Sequence, residues 1–102
     1  MAFTRAHLYS VGERQLSNYA HALGHPARIR ILRQLFTHGK CQVEQLRVLH
    51  PLSFATLSQH LKILRMAGLI ICQERFPYTI YSLNKGNIKK LKKEFGDLFN
   101  LL

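Results

Sequence analysis

Acid is scarce in this chain. Five Asp and Glu stand against fifteen Lys and Arg, for a formal net charge of +10 on 102 residues. No paired carboxylates, no nucleophile–base pair and no glycine-rich phosphate loop stand out, so the chain does not read as an enzyme and asks for no cofactor. Cysteine is scarce as well. Cys41 and Cys72 are the only two, too few for a disulfide framework. Long apolar runs are absent too. None is long enough to span a membrane, and none near the start resembles the apolar region of a signal peptide. The expected location is therefore the cytoplasm, with no membrane partner. The excess of positive charge points to a polyanion, with nucleic acid as the first choice.

What is present suits one folded domain over residues 1–102, since 47% of the residues are hydrophobic and no low-complexity run interrupts them. Residues 1–9 carry no clear signal. Ser10-Val11-Gly12-Glu13 is a capping-box pattern, which predicts a first helix over 11–23 with Leu16, Tyr19, Ala20 and Leu23 as its apolar stripe. Gly24 ends it. Pro26 suits the first turn of a second helix running to about Thr37, with Ile31, Leu32, Leu35 and Phe36 inward and Arg28, Arg30 and Arg33 pointing elsewhere. Gly39 is its stop. A third, short helix covers about 42–49, with Val43, Leu46 and Leu49 inward, and Pro51 falls in the turn that follows.

The next helix has two unlike faces. Leu57, Leu61 and Leu64 recur at i, i+4 and i+7 and form an apolar stripe. Ala55, Thr56, Ser58, Gln59, Lys62 and Arg65 lie on the other side, and such small, hydrogen-bonding and cationic groups can enter a major groove. Ser53 is a good N-cap and Gly68 a good residue for ending the helix. Leu69–Arg75 and Thr79–Leu83 are rich in strand formers, with Phe76-Pro77-Tyr78 between them, so a hairpin is expected over about 69–83. A last helix over 88–102 carries Ile88, Leu91, Phe95, Leu98, Phe99 and Leu102 at helical spacing.

Two stretches carry a family resemblance. Leu52, Ser53, Leu57, Ser58, His60, Leu61, Lys62, Leu64, Ala67, Gly68 and Leu69 fit, without a gap, the recognition-helix pattern of the ArsR/SmtB winged-helix repressors. Upstream, Ala22-Leu23-Gly24-His25-Pro26-Ala27-Arg28-Ile29-Arg30-Ile31-Leu32 resembles a second motif of that family at the right distance. The resemblance spans about residues 13–83. It implies a mainly α fold with a small β-hairpin: a dimeric winged helix-turn-helix of five helices and a two-stranded wing. The helix-turn-helix would occupy about 42–66.

On that resemblance, double-stranded DNA and a second copy of the chain are the expected partners. The base-reading positions at the start of the recognition helix correspond to Phe54, Ala55, Ser58 and Gln59. Gln can pair bidentately with adenine, and Ser can donate or accept. Phe54 stands where the family usually has Gln; it could touch a thymine methyl or tuck inward. Ser53, Thr56 and His60 complete the expected DNA-facing set, with Lys62, Arg65 and Arg75 as phosphate contacts. The first and last helices form the family's dimer interface, which here means Leu16, Tyr19, Leu23, Ile88, Leu91, Phe95, Leu98, Phe99 and Leu102.

The family's metal-site patterns are not met. Gln42 and Glu44 occupy the positions of its Cys-x-Cys pair, and the last helix has Glu94 and Asp97 but no histidine. No metal is expected. The expected function is a sequence-specific repressor on a near-palindromic operator, with the effector left open. Two alternatives stand beside it: a protein-interaction module using the aromatic wing tip, and a redox-responsive regulator acting through Cys41 and Cys72.

Overall fold

Local signals set where the elements begin and stop. The computed structural model describes residues 8–102; residues 1–7, part of the stretch without sequence signal, lie outside the described residues. Helix α1 runs Val11–Ala22, and its capping box closes as the spacing predicts: Glu13 N–H donates to Ser10 Oγ at 3.0 Å and Ser10 N–H to Glu13 Oε1 at 2.8 Å. The backbone bond holds the Glu13 carboxyl below its ordinary pKa. Helix α2, Pro26–His38, opens with proline in its first turn, and His25 Nδ1 accepts from Ala27 N–H at 3.0 Å. Strand β1 follows at Lys40–Gln42 and helix α3 at Val43–Val48. Helix α4, Phe54–Met66, is capped by Ser53, whose Oγ accepts from Thr56 N–H at 3.2 Å. Strands β2 (Ile70–Arg75) and β3 (Tyr78–Leu83) form the wing, and helix α5 spans Lys85–Leu101.

The sheet has three strands where the sequence suggests two. Its order is β1-β3-β2, all antiparallel, with Cys41 opposite Tyr81 and Tyr81 opposite Cys72. Strand β3 has two edges, and the β2 hairpin satisfies only one. Lys40-Cys41-Gln42 pairs with the other, which closes the inner end of the wing onto the helices. Three residues are too few to show a strand period, so this element left no mark in the sequence.

The core draws on α1 to α4 and on strands β1 and β2. Tyr19 and Ala22 of α1, Ile31 and Leu35 of α2, Cys41 of β1, Leu46 of α3, Leu57, Leu61 and Leu64 of α4, Leu69, and Ile70 of β2 form one buried cluster. Three residues expected inward are not there. Ala20 is exposed, because Tyr19 and Ala22 take the buried positions of α1. Phe36 is 80% exposed, because Ile31 and Leu35 already supply the inward stripe of α2 and Phe36 falls about 100° further round. Leu49 is also exposed, since α3 ends at Val48 and Leu46 takes the inward position.

The end of α4 is locked to the start of α5. Gly68 adopts φ 80°, which favours glycine, and a Cβ there would stand 2.8 Å from Asn87 Nδ2. That nitrogen donates to Gly68 O at 2.9 Å, Asn84 N–H donates to Leu69 O at 3.0 Å, and Asn84 Oδ1 caps α5. Helices α4 and α5 are thus fixed at one joint.

Candidate nucleic-acid interface

The two faces read from the sequence of α4 are the two faces it has. Leu57, Leu61 and Leu64 are fully buried, while Ala55, Thr56, Gln59, Lys62 and Arg65 are exposed and Ser58 is half-exposed. Ser53 Oγ donates to Thr56 Oγ1 at 3.0 Å as well as capping the helix, so these two hydroxyls are tied together at its start. The open face therefore offers an amide, a hydroxyl and two cations from one rigid element. That set can donate and accept at base edges and neutralise flanking phosphates. Arg75 is exposed at the far end of β2, beside the turn at Phe76 and Pro77.

His60 does not belong to that face. It is buried, and Arg28 Nη1 donates to its Nδ1 at 3.0 Å. Its ring lies against His25, with centroids 4.4 Å apart. Helix geometry explains the correction, because His60 adjoins Leu57, Leu61 and Leu64 on the inward stripe. Accepting a bond at Nδ1 requires that nitrogen to be unprotonated. Burial, then the nearby His25 and Arg28, push the His60 pKa below the ordinary value.

Arg28 also departs from its expected place. It is buried, and besides His60 it donates through Nε to Ala22 O at 2.7 Å and through Nη2 to His21 O at 3.3 Å. One guanidinium therefore satisfies the last carbonyls of α1 and anchors the inner side of α4. A second buried pair lies near the helix-turn-helix turn, where His50 Nε2 donates to Gln34 Oε1 at 2.9 Å. Burial, then Arg30, lowers the His50 pKa. No sequence signal joins Arg28 to His60, although His25 beside Pro26 stands at a capping position.

The expected dimer residues divide. Tyr19 lies in the core of its own chain, where its hydroxyl accepts from Gln15 Nε2 at 3.0 Å, and so it offers no outer surface. Leu23, Ile88, Leu91 and Phe95 are half-buried against that core, and Leu16 is half-buried. Leu98, Phe99 and Leu102 are exposed, together with Leu101 and, on α1, Val11.

The cysteines are separated by a strand. Cys41 and Cys72 both face Tyr81 in register, from opposite edges of β3. Two strand spacings put their Cα atoms about 10 Å apart, beyond the roughly 7 Å limit for a disulfide. Burial raises the Cys41 thiol pKa, and that thiol is nearly inaccessible. A switch made by joining these two cysteines within the chain is excluded by the sheet. Among the described residues, no three His, Cys, Asp or Glu side chains converge where they could hold a metal ion.

The sequence profile of the bacterial regulatory protein arsR family matches residues 25–71. Those residues are similar to the helix-turn-helix domain of that family. This domain runs from the α2 cap through α3 and α4 into β2, and so contains the whole exposed face described above. Its function is that of a DNA-binding transcriptional regulator, and its family and fold are those of regulators rather than enzymes.

Solved structures extend the likeness beyond the ArsR-family domain. An ArsR-like transcriptional regulator from Rhodococcus sp. RHA1 superposes with a TM-score of 0.77 at 20% identity, covering 90% of this chain and 84% of that one. The transcriptional repressor BigR from Xylella fastidiosa gives 0.66 at 24% identity, over 85% and 88%. These two share the winged helix-turn-helix fold. A possible transcriptional regulator for arsenical resistance gives 0.71 at 28% identity, over 78% and 81%. No curated protein matches the chain.

Proposed function

We propose that this chain is a cytoplasmic, sequence-specific repressor that binds a near-palindromic operator as a homodimer and has no enzymatic activity. The observation that carries the reading is the exposed Thr56–Ser58–Gln59–Lys62–Arg65 face of α4, set on a core-filling leucine stripe. Gln59 and Ser58 read base edges, while Lys62, Arg65 and Arg75 contact phosphates. The net charge of +10 draws the chain to the duplex. The apolar end of α5, with Val11 of α1, is the dimer surface. In a dimer on one face of the duplex the two recognition helices lie about 34–36 Å apart, one turn of DNA.

The regulator works without the family's metal patterns, since Gln42 and Glu44 hold the Cys-x-Cys positions and α5 has no histidine. In support of the location, no described helix is long and apolar enough to cross a membrane. A second reading, a protein-binding module, draws on Phe76, which is 99% exposed at the wing tip.

Selection from random duplex DNA with the purified protein tests the proposal. An enriched near-palindrome supports it. Salt-sensitive binding without a motif reduces the chain to a non-specific DNA binder, and no binding transfers the function to the wing tip.

A further inference from the structure

Phe54 is the first residue of α4, and the first residues of a recognition helix are those that reach base edges. The residue is 47% exposed and takes no place in the core. Arg47, in the last turn of α3, lies with its guanidinium carbon 5.8 Å from the ring centroid, within cation–π reach. The ring is therefore held from one side by the preceding helix and open on the other. Its neighbours Ser53, Ala55, Thr56, Ser58 and Gln59 are small or polar, so Phe54 alone brings a large apolar surface to this end of the helix.

A major groove has one apolar feature to offer, the C5-methyl of thymine. The other base edges present donors and acceptors that a phenyl ring would leave unpaired. Arg47 suits the adjoining backbone. Its planar guanidinium can lie on the ring and still present N–H groups at its edge to a phosphate oxygen. Its contact with Glu44, 3.9 Å long and exposed on both sides, is too weak to withhold it.

We propose that Phe54 and Arg47 form one subsite of the interface, in which the Phe54 ring reads a thymine methyl and Arg47 holds the phosphate beside it. This rests on the operator-binding reading above. The test uses the selected operator with each thymine replaced in turn by deoxyuridine, which removes the methyl alone. At one thymine per half-site the unaltered protein loses affinity by about four-fold, the worth of one buried methyl group. Phe54→Ala binds both duplexes equally, and it retains its fold because the position is exposed and alanine favours helix. Arg47→Ala weakens both duplexes alike and lowers the slope of affinity against salt by about one phosphate contact per half-site. An operator in which no thymine responds, or in which Phe54→Ala keeps the same methyl sensitivity, overturns the subsite and leaves operator binding standing. A selection that yields no operator overturns the base-reading function and the subsite with it.

Discussion

Helices α4 and α5 are both amphipathic in sequence, yet their apolar stripes meet different fates. Leu57, Leu61 and Leu64 of α4 are buried completely within the chain, whereas α5 has no buried residue. On α5, Ile88, Leu91 and Phe95 are half-covered by the core, and Leu98, Phe99, Leu101 and Leu102 remain outside. The contrast shows where each helix has work left to do. A helix whose apolar stripe is satisfied internally can only present its polar face, and α4 presents Gln59, Lys62 and Arg65. A helix whose stripe runs past the core presents the stripe itself, and on so small a domain such a surface suits the proposed dimer.

Mutations on the two stripes should separate these roles. Leu61→Ala removes a fully buried side chain from the middle of the core and is expected to cost about 2–5 kcal/mol in urea unfolding. A loss no larger than that of a surface substitution would break the contrast. Leu98→Glu should leave helix content intact and give monomers in ultracentrifugation, because it sets a charge in the exposed stripe of each partner. A persistent dimer would place the interface elsewhere.

On the polar face, Gln59→Ala is expected to lower operator affinity by roughly 10- to 100-fold, the worth of one bidentate base contact, and to affect random duplex far less. Lys62→Ala should weaken both alike. Equal losses for the two variants on both duplexes would remove base readout from Gln59.

The smallest effect concerns the inner side of α4. His50 and His60 are held below their ordinary pKa of 6.5, first by burial. The unfolded chain therefore takes up protons before the folded one does. The stability these residues contribute is fully present above 6.5 and falls as the pH drops through their folded values. The urea midpoint should decline over that range, and less steeply in His60→Gln. A flat midpoint below 6.5 would mean that burial does not oppose the charged imidazoles.

Much of this was legible in the residues. Ser10 with Glu13, Pro26, Ser53 and Gly68 mark helix ends through contacts within a few positions, and each acts where its sequence places it. The leucine stripe of α4 was legible for the same reason, since helical spacing alone assigns it a face. The motif places His60 in the DNA-facing set, whereas its angular position beside Leu57 and Leu61 puts it inside. Strand β1 and the exposure of Phe36 depended on what else packs nearby, which no local pattern records.

The sequence by itself determined the breaks between elements, the two faces of the recognition helix and the strong positive charge. Those follow from local hydrogen bonding, helical period and composition. Only the tertiary structure decided that Lys40-Cys41-Gln42 joins the sheet, that Cys41 and Cys72 stand apart, that Tyr19 is core, and that Arg28 reaches His60 across a separation of 32 residues. Each of those depends on which distant groups meet once the core has closed. Burial then decides, because a polar side chain excluded from water must find a partner wherever the fold provides one.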